Sequence, residues 1–435
     1  MKHSKSLIKF LLLVIIITGW ACKVTEPPQT EENKLQITVH DIGVKEVYLN
    51  IQTEISSSNS TLALQRNGKE IVTFSPISDT LIVDTTAEQG NTYKYKLVLN
   101  KEGGQISESN EIELTTLNPT SNDYNWQIIE FEGYNPAYFQ DITIVNENDI
   151  WAVGEVDQYN PDGTYDWQPY GAAHYDGNSW KLVKVPYRIA TQPEWPGLIN
   201  AAFSANGYLF FSTLGSLLIK NGDTWKELGY FVSGTVFTGQ VAAIWSPDAE
   251  NIYCVGGSGS IYYCTVYGWM KLNSGTSSNI TDIYGFKDPA TGKYTAYMAA
   301  LPSVYAGDGQ ILRITEKTKV DTVSWEPRHY IYSLWTKKGF PMYAGGVGLY
   351  ANSGGKWKEF PEFHNEIINK IRGTGLNDIY AVGSKISHYN GIEWKTFDQL
   401  SLPYGVYNSV AVTENKIVAV GWSGNKAIII VGSRY

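Results

Sequence analysis

The chain is poor in the residues that build metal and redox sites. Its 435 residues include three cysteines and six histidines. No HExxH, CxxC or paired-histidine motif occurs, so the sequence carries no zinc or dithiol signature, and we expect no cofactor. Amphipathic helical periodicity is also missing, which predicts an almost wholly β chain.

The sequence also has no excess of basic residues. The formal net charge is −9, and residues 1–22 contribute +3 without any acid, so the remainder carries −12. This acidic balance argues against nucleic acid and against anionic lipid surfaces as partners. Aromatic residues, in contrast, make up 13% of the chain, with 14 tryptophans and 30 tyrosines. Their packing roles must therefore be separated from binding roles.

One stretch, residues 377–397, is the pattern for most of the chain after residue 120. It reads NDIYAVGSKISHYNGIEWKTF: a β-branched and aromatic run ending on Gly383, a second run, the dipeptide Asn390-Gly391, and an alternating run from Trp394. This pattern predicts antiparallel strands joined by tight turns. The related units carry a tryptophan near their ends, at Trp180, Trp225, Trp269, Trp325, Trp357 and Trp394.

A repeat of about 40 to 50 residues with four short strands is typical of a propeller blade. Residues 122–435 are therefore predicted to form a seven-bladed β-propeller, with six or eight blades as alternatives. The last unit lacks an outer strand, and residues 126–131 could supply it and close the ring. The motifs D-I-[WY]-A-V-G and H-Y-[DN]-G-x-x-W resemble those of Trp-repeat propellers in bacterial surface proteins, and the blade turns resemble the Asp-box of sialidases.

The segment before the propeller is predicted to have three parts. In residues 1–22 a basic start precedes a short apolar run and Ala21-Cys22. This resembles a bacterial lipoprotein signal peptide, which implies lipidation of Cys22; an ordinary signal peptide and an uncleaved anchor are the alternatives. Residues 23–34 read as a solvated tether. Residues 35–118 carry six predicted strands and resemble a small fibronectin type III sandwich, which we expect to be a spacer.

Two clusters could serve chemistry or could be structural. Cys254 and Cys264 flank a predicted hairpin, so they form either a cross-strand disulfide or two buried thiols. A loop rich in oxygen ligands can bind calcium or form a solvated turn; its candidate ligands are Asp157, Asn160, Asp162 and Asp166.

His174 and His388 occupy equivalent positions in their repeat units. We expect each ring to bond a neighbouring backbone carbonyl.

No catalytic constellation stands out. The resemblance to sialidases implies an arginine triad, a tyrosine nucleophile and an acidic partner, and Arg188, Arg328 and Arg372 lie near blade junctions. No wider sialidase motif surrounds them, so we assign no catalytic residue. A glycoside hydrolase or lyase remains an alternative, which would require carboxylates converging on the propeller axis.

Long loops concentrate aromatic residues on one face of the predicted propeller, where the connections between blades and between second and third strands open. Rings set among polar groups suit stacking on sugars or contacts with a protein, although they can also pack the loops together. The candidate ligand-binding residues are Tyr159, Tyr165, Trp167, Tyr170, Tyr187, Arg188, Trp195, Tyr230, Arg328, His329, His364, Tyr404 and Tyr407.

We therefore expect a lipid-anchored protein of the cell envelope, on the outer membrane or cell surface, that recognises a glycan or a protein without catalysis. A glycan partner would be neutral, given the acidic surface. A structural subunit of an outer-membrane assembly is the further alternative, and it would present a flat apolar propeller face.

Overall fold

The structure is a computed structural model that describes residues 35–54, 59–76, 79–101, 104–134, 137–187, 195–205, 207–213, 216–222, 224–227, 240–248, 250–265, 268–288, 291–302, 308–353 and 355–435. Cys22, the signal segment and the tether lie outside these ranges. Within them there is no α-helix, only short 3₁₀ turns at Gly257–Gly259, Pro361–Phe363 and Asp398–Leu400. None of the described helices is long and apolar enough to span a membrane. The prediction of an all-β chain is confirmed.

The first eight strands form two sheets. They are β1 (Leu35–Ile42), β2 (Val47–Thr53), β3 (Ser60–Arg66), β4 (Lys69–Phe74), β5 (Thr80–Asp84), β6 (Thr92–Lys101), β7 (Gly104–Glu108) and β8 (Ile112–Thr115). One sheet has the order β1-β2-β5, and the other has the order β4-β3-β6-β7, with β8 also paired to β6. Val47, Leu49 and Ile51 of β2 enter the core between the sheets, as the two-residue period of a strand requires.

Tyrosine hydroxyls tie the strand ends of this first unit together. The Tyr93 hydroxyl accepts the Glu88 backbone N–H at 3.0 Å, and the Tyr95 hydroxyl donates to Asp84 at 2.8 Å. Arg66 pairs with the same carboxylate at 2.8 Å. A tyrosine that bonds back to the chain a few residues upstream is a device of immunoglobulin-like sandwiches. The assignment of residues 35–118 to a fibronectin type III-like domain stays a prediction.

Thirty further strands follow in the described part of the chain. They are β9 (Tyr124–Glu132), β10 (Ala137–Asn146), β11 (Asp149–Val156), β12 (Tyr170–Tyr175), β13 (Trp180–Val183), β14 (Pro186–Tyr187), β15 (Trp195–Pro196), β16 (Ala201–Ala205), β17 (Tyr208–Ser212), β18 (Leu217–Asn221), β19 (Thr224–Glu227), β20 (Val241–Asp248), β21 (Asn251–Gly256), β22 (Ser260–Thr265), β23 (Gly268–Leu272), β24 (Asn279–Lys287), β25 (Tyr294–Leu301), β26 (Gln310–Thr315), β27 (Lys319–Val323), β28 (Ile331–Thr336), β29 (Met342–Gly346), β30 (Gly348–Asn352), β31 (Trp357–Glu359), β32 (Ile368–Gly375), β33 (Asp378–Gly383), β34 (Ile386–Tyr389), β35 (Trp394–Thr396), β36 (Gly405–Val412), β37 (Lys416–Ser423) and β38 (Lys426–Arg434).

These strands build seven four-stranded antiparallel sheets among the described residues. The sheets are β10 to β13, β16 to β19, β20 to β23, β24 to β27, β28 to β31, β32 to β35, and β36 to β38 with β9; a two-stranded hairpin, β14 and β15, lies between the first two. The first strands of successive sheets, β10, β16, β20, β24, β28, β32 and β36, are called the inner strands here. Each contacts the inner strand of the next sheet, and β36 contacts β10. This arrangement is consistent with a β-propeller-like fold.

The repeated tryptophans pack at the outer strands. Trp180 and Trp225 lie against the apolar clusters that join the first sheet to its neighbours, and Trp394 lies against a cluster between the fifth and sixth sheets. A ring at this position covers the gap between two sheets, which neither sheet can bury alone. The tryptophan repeat is therefore explained by packing.

β-Bulges in six inner strands turn selected side chains toward the centre. The register shifts follow Phe139, Val241, Ile280, Ile331, Ile368 and Tyr407. Beyond the bulges come Asp141, Asp282, Ser333, Lys370 and Ser409, and neighbouring strands bond through them. Ser409 donates to Asp141 at 2.6 Å, and the Asn408 amide reaches the carbonyl of Phe139 at 2.8 Å. The last sheet is thus tied to the first.

The small unit packs on the fifth and sixth sheets. Tyr48 of β2 is buried against Phe340, with ring centroids 5.8 Å apart. The Lys338 ammonium donates to the carbonyl of His40 at 2.9 Å. Asn377 donates to the carbonyl of Asn118 in the connecting segment at 2.8 Å. The two units are therefore held by both apolar and polar contacts.

Candidate functional site

Four rings, Tyr134, Tyr159, Tyr165 and Trp167, form a surface cluster that we call the aromatic platform. Ring centroids lie 5.1 Å apart for Tyr134 and Tyr159, 5.3 Å for Tyr134 and Tyr165, and 4.6 Å for Tyr165 and Trp167. Trp167 is 76% exposed, Tyr159 55% and Tyr134 53%. Three of these rings were predicted from the β11–β12 loop, while Tyr134 comes from the β9–β10 connection and was missed.

Backbone and side-chain hydrogen bonds order the platform. Tyr159 and Tyr165 face each other in an isolated antiparallel bridge. The Tyr165 hydroxyl donates to Asp157 Oδ2 at 2.6 Å, and the Tyr134 N–H donates to the Asp157 carbonyl at 2.8 Å. Asp157 thus joins the two connections, so the rings are presented in a fixed geometry.

The floor of the platform is acidic. Burial, reinforced by the charge of Asp157, raises the pKa of Glu155. The hydrogen bond to Asp157 raises the pKa of Tyr165 to about 12. Further along the loop, Lys184 pairs with Asp166 at 2.7 Å and lies 5.0 Å from the ring centre of Tyr170. The platform therefore combines exposed rings with carboxylates that are bonded to neighbouring side chains.

The candidate calcium ligands each bond a different partner within the protein. Asp157 accepts from Tyr165, while Asp162 Oδ1 accepts the Thr164 N–H at 2.9 Å. Asn160 donates to the Thr164 hydroxyl at 3.0 Å, and Asp166 pairs with Lys184. Among the residues that the structure describes, no group of three or more histidine, cysteine, aspartate or glutamate side chains could hold a metal ion.

Two predicted site tyrosines are buried instead of exposed. The Tyr187 hydroxyl donates to the Leu198 carbonyl at 3.1 Å, and the Tyr407 hydroxyl donates to the Leu400 carbonyl. Both rings lie inside apolar clusters, so they hold loops together and offer no ring face to solvent. Trp195, which faces Tyr187 in the β14–β15 hairpin, is 47% exposed, and Tyr404 is 91% exposed.

The remaining predicted residues do not join the platform in any contact that the structure describes. Arg328 lies 3.8 Å from Asp308, and the His329 ring stacks on Tyr350 with centroids 6.1 Å apart. His364 Nδ1 lies 3.1 Å from Glu359 Oε1. Arg188 and Tyr230 fall outside the described residues.

A second feature, missed at the sequence level, is a cavity of about 230 Å³ between the inner strands. We call it the central cavity. Its polar lining includes Asp141, Ser204, Tyr284, Lys370, Arg372 and Thr413. A detectable signal existed: charged residues interrupt otherwise apolar inner strands in FQDITI, NITDIY and INKIRG. A charge at such a position must find a partner at the centre.

A buried ion cluster borders this cavity. Arg372 donates to both oxygens of Asp282, at 2.7 and 2.9 Å, and Lys370 reaches Oδ1 at 2.9 Å. Burial alone would raise the pKa of Asp282, but the charges of Arg372 and Lys370 hold it well below its usual range. Asp282 therefore stays ionised and does not provide a general acid at neutral pH.

The two histidines bond carboxylates, and the prediction of backbone carbonyl partners is wrong. His174 Nε2 lies 2.9 Å from Asp149, and His388 Nε2 lies 3.0 Å from Asp378. The ring of Trp151 stacks on His174 at 3.9 Å. Each aspartate begins the D-I-[WY]-A-V-G strand, and the register places the histidine on the adjacent strand within its reach.

The two cysteines are thiols, not a disulfide. In the β21–β22 pair, Cys254 lies opposite Tyr262, and Cys264 lies opposite Ile252. They are therefore diagonal neighbours, a wider separation than that of directly opposed residues. Burial raises the pKa of both thiols, that of Cys264 to about 11.

Comparisons with known proteins add little. No protein-family model matches the chain, and no curated protein matches it. Among solved structures, it is similar to the extracellular domain of a proposed one component system from B. thetaiotaomicron, with 16% identity and a TM-score of 0.48. The match covers 71% of this chain and 40% of that chain, so this chain spans well under two thirds of that protein. A likeness at this level supports no functional inference.

Proposed function

We propose that this chain is a lipid-anchored surface protein that recognises a neutral glycan, without catalysis, through the aromatic platform. In this proposal the seven sheets are the blades of a closed propeller, residues 35–118 are a fibronectin type III-like domain, and Cys22 carries the lipid. Contacts of β36 with β10, and the pairing of β9 with β38, support the closed ring.

The observation that carries the proposal is the exposure of Trp167 on an ordered base. An indole that is 76% exposed contributes little to folding, yet it packs edge-on against Tyr165. Large, rigid rings of this kind bind ligands with small losses of conformational entropy. The charge of Asp157, which is bonded to Tyr165, disfavours anionic ligands.

The catalytic alternative has less support. It requires two carboxylates free to act as acid and base, but Asp282 is bound to two cations, and Asp141 accepts hydrogen bonds from Ser409 and Ala202. The charges of Arg372 and Lys370 hold the pKa of Asp282 well below its usual range, whereas acid catalysis of glycoside cleavage uses a carboxyl whose pKa is raised toward neutrality. Recognition is therefore the function that we propose.

A glycan array tests the proposal, probed with the soluble protein spanning residues 34–435. Trp167→Ala should weaken binding by about tenfold or more, because it removes the most exposed stacking ring. Met270→Ala, which truncates an exposed apolar residue on an outer strand, is the matched control and should bind as the parent does. Trp195→Ala shows whether the site extends to the neighbouring hairpin.

Two results would contradict the proposal. Glycan binding that survives Trp167→Ala would place the site elsewhere on the molecule. Absence of binding to any glycan would overturn the saccharide version, and crosslinking on intact cells would then show whether a protein occupies the platform.

A further inference from the structure

The residues that line the central cavity become more exposed toward the carboxyl ends of the inner strands. Some of the lining residues are buried, among them Asp141, Lys370 and Ser409. Residues nearer the carboxyl ends of the inner strands, such as Ser204, Tyr284 and Thr413, are partly exposed. These strand ends lead into the short turns between first and second strands. The cavity is therefore a pocket reached from the short-turn face, opposite the face proposed for the aromatic loops.

One wall of the pocket carries a net positive charge. Lys370 and Arg372 extend from β32 across β28 to share the single carboxylate of Asp282 on β24. Two cations on one anion leave one positive charge in excess. The Arg372 guanidinium also lies 5.1 Å from the ring centre of Tyr284, which lines the same pocket. This wall is suited to a carboxylate.

A second wall, formed by β10, carries a negative charge. Asp141 on β10 accepts hydrogen bonds from the Ser409 hydroxyl at 2.6 Å and from the Ala202 N–H at 3.1 Å. Both donors are neutral, so the carboxylate has no cationic partner among the described contacts. Burial would lower the pKa of Arg372, but the negative charge of Asp282 raises it. Tyr284 and Asp141 raise it less strongly, so the charge of Asp141 acts on Arg372 through space. Opposite charges thus face a common space without touching.

We propose that this pocket binds one small dipolar molecule bearing a carboxylate and an ammonium group, the class to which free α-amino acids belong. The carboxylate lies toward Arg372 and Lys370, and the ammonium group toward Asp141. A volume of about 230 Å³ admits a molecule of this size but is below the range of drug-sized sites. A simple anion would meet the charge of Asp141, and a neutral ligand would leave both walls uncompensated.

Titration calorimetry on the soluble protein of residues 34–435 tests this, with the twenty L-amino acids as probes. The best probe is then compared with its analogue lacking the amino group and its analogue lacking the carboxylate. Each analogue should bind about tenfold more weakly or worse, since each loses one charged contact. Equal binding of either analogue, or no binding of any amino acid, would overturn the proposal.

A variant locates the site independently. Asp141→Asn should weaken binding of the best amino acid by about tenfold or more, whereas Met270→Ala, in the outer strand β23, should leave it unchanged. Undiminished binding in Asp141→Asn would overturn the assignment of this pocket. The analogue comparison uses the unaltered protein, so it decides the question even where Asp141→Asn fails to fold. Because the platform is probed with glycans and the pocket with amino acids, either proposal can fail without the other.

Discussion

A single carboxylate, Asp282, stabilises the centre of the molecule through its position. It is fully buried and holds two cations as well as the hydroxyl of Ser333. A buried charge of this kind has a high desolvation cost, which only complete pairing offsets. The side chains in the cluster are therefore interdependent: loss of one leaves the others unpaired.

Asp282→Asn should consequently lower the free energy of unfolding by about 3–5 kcal/mol, because Lys370 and Arg372 would be buried without a counter-charge. Urea denaturation monitored by tryptophan fluorescence measures this. Glu132→Gln is the control, since Glu132 is exposed and lies 3.7 Å from Lys426; its effect should stay within about 1 kcal/mol. Equal effects of the two substitutions would contradict the assignment of a buried cluster.

His388 and His174 share one motif but differ in burial. His388 is fully buried and also contacts Asn122 of the connecting segment at 2.7 Å, while His174 remains partly exposed. Burial lowers the pKa of His388 from its usual 6.5, although Asp378 opposes the shift. Such a histidine stays neutral in the folded protein while the unfolded chain takes up a proton.

The free energy of unfolding should therefore decrease as the pH drops below about 6.5. The decrease should stop once the pH reaches the lower pKa that His388 has in the folded protein. The pKa of Asp378 is itself lowered from 3.8, so its contribution is lost only at more acidic pH. Urea midpoints measured from neutral pH to about 5 should show this decline, and His388→Gln should flatten it. His174→Gln is the matched control and should retain the slope; a slope unaffected by His388→Gln would refute the explanation.

Strand β9 completes the last sheet although it precedes the first one in the sequence. It is separated from its partner β38 by almost the whole second part of the chain, yet it completes that sheet. Its two faces are distinct, because Ile129 packs against the cluster shared by the first and last sheets, and Ile128 is 56% exposed. The alternation follows from the two-residue period of a strand.

Ile129→Asp should destabilise the protein by about 2 kcal/mol or more, the value of burying one aliphatic side chain, whereas Ile128→Asp should be nearly neutral. The two variants differ by one position in the same strand, so thermal unfolding of the pair isolates the buried face. A similar melting temperature for both would mean that β9 does not pack as described.

The strand pattern could be predicted because it depends on local chemistry. Asn390-Gly391 marks a turn in the sequence, and Gly391 indeed has a φ of 94°, which favours glycine. The bulges before Asp141 and Lys370 had no such signal, because a bulge depends on how neighbouring strands meet at the centre. Sequence periodicity therefore predicts the sheets better than it predicts what they enclose.

The candidate site was only partly predictable for a related reason. Trp167 and Tyr407 are both aromatic loop or strand-end residues in the sequence, yet one is exposed and the other is buried. The difference in burial depends on contacts with another segment of the chain. The Tyr407 hydroxyl, for example, donates to the Leu400 carbonyl. Tyr134 was missed because it joins the platform from another connection through Asp157. Long-range contacts of this kind leave no local pattern.

At the scale of the whole molecule, the small unit is more than a tethered spacer. Tyr48, Leu81 and Val83 belong to one apolar cluster with Trp335 and other residues of the fifth and sixth sheets. Polar contacts surround this cluster, including Lys338 with the His40 carbonyl and Thr120 with the Asn377 carbonyl. An apolar centre with a polar rim is the anatomy of a stable interface. The two units should therefore unfold together and keep one relative orientation.

Tyr48→Ala should uncouple the two units, because it removes the largest ring that the small unit contributes to the interface, a loss of about 3–5 kcal/mol for a fully buried aromatic side chain. Small-angle X-ray scattering should show a larger radius of gyration, and calorimetry should resolve two unfolding transitions in place of one. Lys69→Ala, at the exposed start of strand β4 in the same unit, is the control and should change neither. An unchanged radius with a single transition in Tyr48→Ala would show that the connecting segment alone, through Thr120 and Asn118, suffices to hold the units together.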